Sequence, residues 1–166
     1  MNKKIFPVFI LAMLLFTSCK KELPDVGSTA AQNMANEWWV TLDLDGQADV
    51  YGIGHFKIAT YNTAANNDSI WIDDFENGWQ VKFKAKADFN SLTFSCTNSP
   101  SEYYALPSGD PLTVNVTDGK VLLDVGHSRS GNVVDSIHMK IEFADDPGTI
   151  YEMNGHARTK FIEDEY

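Results

Sequence analysis

The chain has 166 residues, of which 43% are hydrophobic, and this is enough apolar sequence for one domain with its own core. Its 23 acidic residues outnumber 13 lysines and arginines, which gives a formal net charge of −10. Such a charge excludes nucleic-acid binding, because that requires a cationic surface. It also argues against docking of the folded domain on anionic lipid.

Residues 1–18 have the pattern of a secretory signal peptide. Two lysines precede an apolar segment, residues 5–16, that is too short to form a stable membrane span. The segment is followed by Thr17, Ser18 and Cys19, and this sequence resembles the bacterial lipobox. In that motif the cysteine is acylated and becomes the first residue of the mature chain. The alternative is an ordinary cleaved signal with an incidental cysteine.

An acylated Cys19 implies a protein of the cell envelope that is anchored to the outer membrane, on its periplasmic or its surface face. Several acyl chains on one residue make a stable anchor. Residues 19–35 are then the lipidated cysteine, a polar tether and a short helix that begins near Ser28. Residues 36–166 form the folded domain. Cys96 has no disulfide partner if Cys19 carries lipid, and its spacing predicts an inward position.

The folded domain is predicted to consist almost entirely of β-strands. Its longest alternation runs from Trp79 to Phe89, with apolar side chains at the odd positions and polar ones at the even positions. This period of two is typical of a strand with one buried face. We predict further strands over residues 38–44, 49–61, 69–73, 92–97, 112–116, 121–125, 137–143 and 151–161.

The clearest turn signal lies at Asp118-Gly119, between two segments of alternating apolar residues. A two-residue Asp-Gly loop favours a type I′ hairpin turn. Such a turn places Val116 opposite Val121, so that apolar residues face each other across the two strands. We therefore predict a hairpin here and a total of eight or nine strands.

Strands that follow one another through short turns, each with one apolar face, predict an all-β, up-and-down antiparallel barrel of about eight strands. A two-sheet sandwich is the alternative. A barrel of this size holds either a packed core or one small ligand. Strand parity gives seven candidates to line the interior, either as a solid core or as an apolar pocket: Trp79, Val81, Phe83, Phe89, Phe94, Ile141 and Phe143.

Several short motifs resemble those of a known family. Asn36-Glu37-Trp38 after a helical lead-in is similar to the opening of lipocalin-like barrels, where a Gly-x-Trp motif closes one end; Asn36 stands at the glycine position. More specifically, the chain looks like the Gram-negative lipoproteins of the lipid-binding putative hydrolase family. The motifs that carry this resemblance are Glu37-Trp38-Trp39-Val40, Thr60-Tyr61-Asn62-Thr63-Ala64, Ser69-Ile70-Trp71-Ile72-Asp73-Asp74 and Gly155-His156-Ala157-Arg158-Thr159.

The resemblance covers nearly all of the mature domain and implies a lipocalin-like barrel that binds a lipid or another apolar molecule. In lipocalin-like barrels an arginine near the final strand commonly packs on the tryptophan of the first strand. The resemblance therefore implies that Trp38 and Arg158 are the barrel-closing pair. The family name suggests hydrolysis, but it transfers no catalytic motif to this sequence.

The sequence contains no clear catalytic or metal-binding motif. The segment from Gly126 to Ser130 has Ser128 at its centre but lacks the last glycine of the Gly-x-Ser-x-Gly nucleophile elbow. It also joins two predicted strands, whereas the elbow joins a strand to a helix. The four histidines have no metal-ligand spacing, and the acidic clusters match no EF-hand loop. We therefore predict no catalytic residue, no metal and no cofactor.

Three functional hypotheses follow. The leading one is a cell-envelope lipoprotein whose barrel binds a small apolar, lipid-like ligand without covalent chemistry. The second is a non-catalytic accessory subunit of an outer-membrane assembly, with exposed Trp39 and the Tyr103-Tyr104 pair contacting a protein partner. The third is a hydrolase of lipid or glycan esters with Ser128 as nucleophile, and it is the least supported because no catalytic motif is evident.

Overall fold

The computed structural model of the protein describes residues 28–166. The predicted signal peptide and Cys19 lie outside the described residues. Eight strands form a closed antiparallel barrel in which each strand pairs with its neighbours in sequence and the last pairs with the first. The strands are β1 (Asn36–Asp43), β2 (Phe56–Asn62), β3 (Ser69–Asp73), β4 (Lys82–Asp88), β5 (Thr93–Ala105), β6 (Pro111–His127), β7 (Val133–Phe143) and β8 (Tyr151–Ala157).

This architecture confirms the predicted all-β, up-and-down barrel of about eight strands. The β1–β8 pairing, which places Trp38 beside Ala157, closes the sheet on itself and rules out a two-sheet sandwich. Helix in residues 28–166 is limited to two 3₁₀ turns, Gln32–Met34 and Ile162–Asp164. The predicted N-terminal helix is the first of these turns.

The hairpin predicted at Asp118-Gly119 is wrong. Strand β6 continues through both residues and pairs with β7 on either side of them, with a shift in register between. Asp118 adopts a left-handed φ of 54°, which makes the step a β-bulge. Gly119 lies opposite Phe94 of β5, where any side chain would collide with that residue. Pairing with two neighbouring strands therefore outweighs the local turn signal.

Several predicted strand boundaries also differ from the observed ones. The last strand, predicted over residues 151–161, ends at Ala157, and residues 158–161 lie outside it. Strand β4 begins at Lys82, because Gln80 has a left-handed φ of 60° that interrupts the extended chain, so Trp79 lies in the preceding loop. Residues 49–55, predicted as the start of the second strand, form a loop. Residues 98–105, predicted as a loop, extend β5, whose pairing with β6 is interrupted by shifts in register.

The barrel has two ends, which we name by the chain segments that lie there. The loop end carries the four loops that follow the odd-numbered strands, residues 44–55, 74–81, 106–110 and 144–150. The tether end carries the lead-in to β1, three loops and the C-terminal tail, which are residues 28–35, 63–68, 89–92, 128–132 and 158–166.

One continuous apolar core fills the barrel between the two ends. Strand β4 shows how the sequence builds it: Phe83 and the alanines that follow at every second position are buried, whereas Lys84 and Lys86 are exposed. The largest fully buried side chains include Trp38, Phe83 and Phe143. No helix within residues 28–166 has the length and apolar composition needed to cross a membrane.

Candidate functional site

The seven predicted lining residues fall into two groups. Five are buried in the core and at most 3% exposed: Val81, Phe83, Phe94, Ile141 and Phe143. Trp79 and Phe89 are only partly buried and pack against that core at opposite ends of the barrel. All five belong to one continuous core cluster, and Phe94 also lines an open concavity on the outside of the barrel. Their role in ligand binding stays a prediction.

Four aromatic rings contact one another at the loop end, where the core reaches the surface. Trp79 stacks on Phe143 with a centroid distance of 4.3 Å and an interplanar angle of 3°. The ring centroid of Tyr151 lies 5.3 Å from that of Trp79, and Tyr51 lies 6.0 Å from Tyr151. Phe143 and Tyr151 are buried, Trp79 is half-buried and Tyr51 is 54% exposed. We call these four residues the aromatic mouth.

Polar groups surround the aromatic mouth. The Tyr151 hydroxyl donates to Asp146 at 2.7 Å, and the Tyr51 hydroxyl lies 2.5 Å from the Tyr151 hydroxyl. The indole N–H of Trp79 donates to the Asp145 carboxylate at 3.0 Å. Burial, together with the contacts to Tyr51 and Asp146, raises the pKa of Tyr151, so this phenol stays neutral.

The β3–β4 loop, which carries Trp79, is held from inside by Asp74. One oxygen of its carboxylate accepts hydrogen bonds from the backbone N–H groups of Glu76 and Val81, both at 2.9 Å. The other oxygen is buried and has no hydrogen-bond partner among the described residues. Burial raises the pKa of Asp74 despite the bonds it accepts. The base of the loop is thus fixed, whereas the Trp79 ring is held by stacking and by an exposed hydrogen bond.

The aromatic mouth has the chemistry of a site for amphipathic molecules. A shallow concavity of about 270 Å³ lies beside Trp79, with Tyr104 and Asp145 in its wall. Aromatic faces bind apolar groups by removing them from water, and hydroxyl and carboxylate groups select the polar end. Because Asp145 and Asp146 are acidic, a polar end that donates hydrogen bonds is favoured over an anionic one.

The tether end is closed by the chain itself. Trp38 is fully buried there, and its indole N–H donates to the Thr60 hydroxyl at 2.9 Å. The Thr60 hydroxyl in turn donates to the carbonyl of Met34 in the lead-in. These contacts join β1, β2 and the lead-in below the core.

Arg158 packs on Trp39 and not on the expected Trp38. Its guanidinium lies 5.9 Å from the Trp39 ring and pairs with Glu37 and Glu165, both at 2.7 Å. The reason is strand parity, because Trp38 faces the interior and its neighbour faces outward, where Arg158 also lies. The hydrogen bond from Arg158 outweighs burial and lowers the pKa of Glu37.

Ser128 lies in a hydrogen-bonded cluster with Ser130, Thr159 and Asp164. Its hydroxyl is 3.2 Å from that of Ser130, and the buried Asp164 carboxylate accepts the backbone N–H of Ser130 at 2.6 Å. The Thr159 hydroxyl donates to the same carboxylate at 2.7 Å. His127 is exposed, and none of the hydrogen bonds to this cluster in the described structure comes from a histidine. The cluster joins the β6–β7 loop to the C-terminal tail.

Two further sequence predictions can be compared with the structure. Trp39, expected to be an exposed contact residue, is only 9% exposed, because Tyr166 and Arg158 cover it. Cys96 is half-buried, and burial raises the pKa of its thiol to about 11, so it is a weak nucleophile at neutral pH. Within residues 28–166, no three His, Cys, Asp or Glu side chains are grouped so that they could hold a metal.

The closed, eight-stranded meander places the protein in the class of up-and-down antiparallel β-barrels. The model of the family described as "Lipid-binding putative hydrolase" matches residues 23–162. The chain therefore belongs to this family, which confirms the resemblance seen in its sequence motifs. A search of curated proteins found no match to the chain. Family and fold together fit a lipid-binding barrel.

Sequence reasoning missed part of the aromatic mouth. The predicted strand over residues 49–61 includes Tyr51, and no motif singles out Asp145, whereas both residues contact Trp79. The glycines on the C-terminal side of Tyr51 gave the available signal, since Gly52 and Gly54 both have left-handed φ angles that favour a loop. Which side chain this loop would contact was not encoded locally, because Tyr51 and Tyr151 are 100 residues apart.

Proposed function

We propose that this protein is a non-catalytic lipoprotein of the cell envelope, anchored to the outer membrane through acylated Cys19, that binds a lipid-like ligand at the aromatic mouth. The lipobox-like sequence supports the anchor, and membership in a lipid-binding family supports the ligand class. The observation that carries the binding site is the stack of the half-buried Trp79 ring on the fully buried Phe143 ring.

Binding at the mouth differs from the expected binding inside the barrel. The interior side chains form one continuous core. An acyl chain that entered this core would have to displace buried residues. At the mouth, by contrast, the apolar part of a ligand replaces one half-buried ring. Trp79 swings from Phe143, and the ligand takes its place on the exposed aromatic face.

The acidic rim restricts the polar end of the ligand. Asp145 and Asp146 contribute two carboxylates beside the hydroxyls of Tyr51 and Tyr151. A neutral glycerol or an amine donates hydrogen bonds to these groups, whereas a free fatty acid places a carboxylate against them. The proposed ligands are therefore neutral or cationic lipids with a single accessible acyl chain.

Native mass spectrometry with a lipid panel tests this function. The panel contains a monoacylglycerol, a fatty amine and a fatty acid of equal chain length. We expect retention of the first two, weaker retention of the fatty acid, and stronger retention of all three in Trp79→Ala, because the ligand no longer has to displace that ring from Phe143. Trp71→Ala is the matched control, because Trp71 lies on the outer face of β3 and should leave binding unchanged. Equal retention by both variants would contradict binding at the mouth.

A further inference from the structure

Five large apolar side chains are exposed at the tether end. Ile162 is 90% exposed, and Phe161, Val125 and Val133 are each more than half exposed. Leu123, which lies on the same face of β6 as the buried Val121, is 43% exposed. We call these five residues the tether-end patch. Singly exposed apolar residues are common, but a group of them at one place marks a contact surface.

The patch exists because two strands continue past the wall of the barrel. The register of β5 with β6 begins at the pair Thr93–Lys120, whereas β6 and β7 remain paired as far as His127 and Val133. The last part of this two-stranded ribbon therefore has no β5 partner along one side. Nearer the middle of the barrel, side chains on the inner face of these strands point into the core. At the end of the ribbon, the corresponding side chains point into solvent.

The C-terminal tail is fixed beside this ribbon. The Asp164 carboxylate accepts the backbone N–H of Ser130, and Arg129 donates to the backbone carbonyl of Glu165 at 2.8 Å. Both bonds tie the 3₁₀ turn Ile162–Asp164 to the loop between β6 and β7. Phe161 and Ile162 are thus positioned next to the end of the ribbon and are left uncovered.

The direction of the preceding chain indicates what covers the patch. Ala30 donates its backbone N–H to Asn66 in the β2–β3 loop, so the described chain starts at the tether end. Only eight residues, 20–27, lie between Cys19 and Ser28, the first described residue. Even when fully extended they span about 30 Å. A lipid on Cys19 therefore keeps this end of the barrel close to a bilayer.

We propose that the tether-end patch rests in the interface of the bilayer that holds the lipid anchor. This inference depends on the acylation of Cys19 given under the proposed function. The contact is apolar and not electrostatic, since the ribbon, its loop and the tail carry the exposed acids Asp124 and Glu163 as well as the exposed bases Arg129 and Lys160. The patch is a second attachment, which fixes the barrel so that the aromatic mouth points away from its own membrane.

Depth-dependent fluorescence quenching tests this orientation. The full acylated chain, with Cys96→Ala, is labelled at Ile162→Cys and placed in phosphatidylcholine vesicles whose acyl chains carry a nitroxide. The matched control carries the label at Ile53→Cys, because Ile53 is 51% exposed at the loop end. We expect at least several-fold stronger quenching at position 162 than at position 53. Equal quenching at the two positions would overturn the proposal.

The test separates the patch from the anchor. Mass spectrometry of the same sample shows whether Cys19 carries lipid, and a free Cys19 would refute the proposed anchor on its own. The unacylated chain, in which Cys19→Ser leaves the introduced cysteine as the labelled site, is then mixed with the same vesicles. Selective quenching at position 162 still supports the patch, and its absence overturns it. Ile162→Asp should reduce vesicle binding of that chain several-fold, whereas Ile53→Asp should leave it unchanged.

Discussion

The two ends of the barrel expose apolar side chains in different ways. At the loop end the aromatic rings contact one another, with Trp79 stacked on Phe143 over the buried core. At the tether end the core is closed by Trp38 and the lead-in, and the exposed side chains lie outside that closure on the β6–β7 ribbon and the tail. An exchangeable ring above a core suits a small ligand, whereas separate aliphatic side chains suit a broad lipid surface.

The largest expected difference between the ends concerns stability. Trp38→Ala removes a fully buried side chain and its bond to Thr60, and we expect a loss of about 3–5 kcal/mol. Trp79→Ala removes a half-buried ring, and a loss of about 1 kcal/mol is expected from the missing stack. Urea unfolding followed by circular dichroism measures both. Similar losses in the two variants would mean that Trp79 belongs to the core and is not exchangeable.

A smaller difference is expected between two aspartates. Asp164 is buried, and replacing it with Ala leaves the Ser130 N–H and the Thr159 hydroxyl without an acceptor, at a cost of about 1–3 kcal/mol. Asp145→Ala removes an exposed hydrogen bond and should change stability by less than about 0.5 kcal/mol. The free energy of unfolding from denaturant titration is the readout. A large loss in Asp145→Ala would show that the loop end is rigid.

Acidification should weaken the tether end while it stabilises the loop end. Burial opposes ionisation of Asp164, but the hydrogen bonds from Thr159 and Ser130 outweigh it and hold the pKa of Asp164 below its usual value. Its contribution to stability is therefore present above the unfolded pKa, near 4, and is lost as the pH falls through the folded pKa. Burial raises the pKa of Asp74, so its contribution is present at low pH and is lost as the pH rises through the folded pKa.

Amide hydrogen exchange, expressed as protection factors, measures this pH dependence separately at each end. Protection of residues 159–165 should fall as the pH is lowered from 4 to 2, and that of residues 75–81 should not. In Asp164→Asn the tail should be less protected at pH 6 and should lose its pH dependence. A parallel loss of protection in both segments would contradict the opposite pKa shifts of the two carboxylates.

The sequence pattern predicted the barrel well because most of its information is local. Alternation in β4 identified the buried face that includes Phe83, and the same rule in the other strands predicted the all-β meander. Parity also indicated that Trp79 packs against the core. This held even though Gln80 separates Trp79 from strand β4. For Phe83, Phe94 and Phe143, parity within one strand placed the side chain in the core, as the structure does.

Features that depend on distant partners were not predictable in this way. The Asp118-Gly119 pair reads locally as a turn, but pairing with β5 and β7 makes it a bulge. The aromatic mouth requires the β1–β2 loop to meet β8 across 100 residues of sequence. The expected Arg158–Trp38 pair came from family resemblance, and the structure places Arg158 beside Trp39 because of which face each residue occupies.

One titration tests whether the ligand binds at the mouth and not in the interior. A monoacylglycerol that carries a nitroxide in its acyl chain is added stepwise, and the quenching of tryptophan fluorescence is measured. We expect saturable quenching in the unchanged chain, loss of this quenching in Trp79→Phe, and its retention in Trp71→Phe. Saturable quenching that persists in Trp79→Phe, or no saturable quenching in the unchanged chain, would contradict ligand binding at the aromatic mouth.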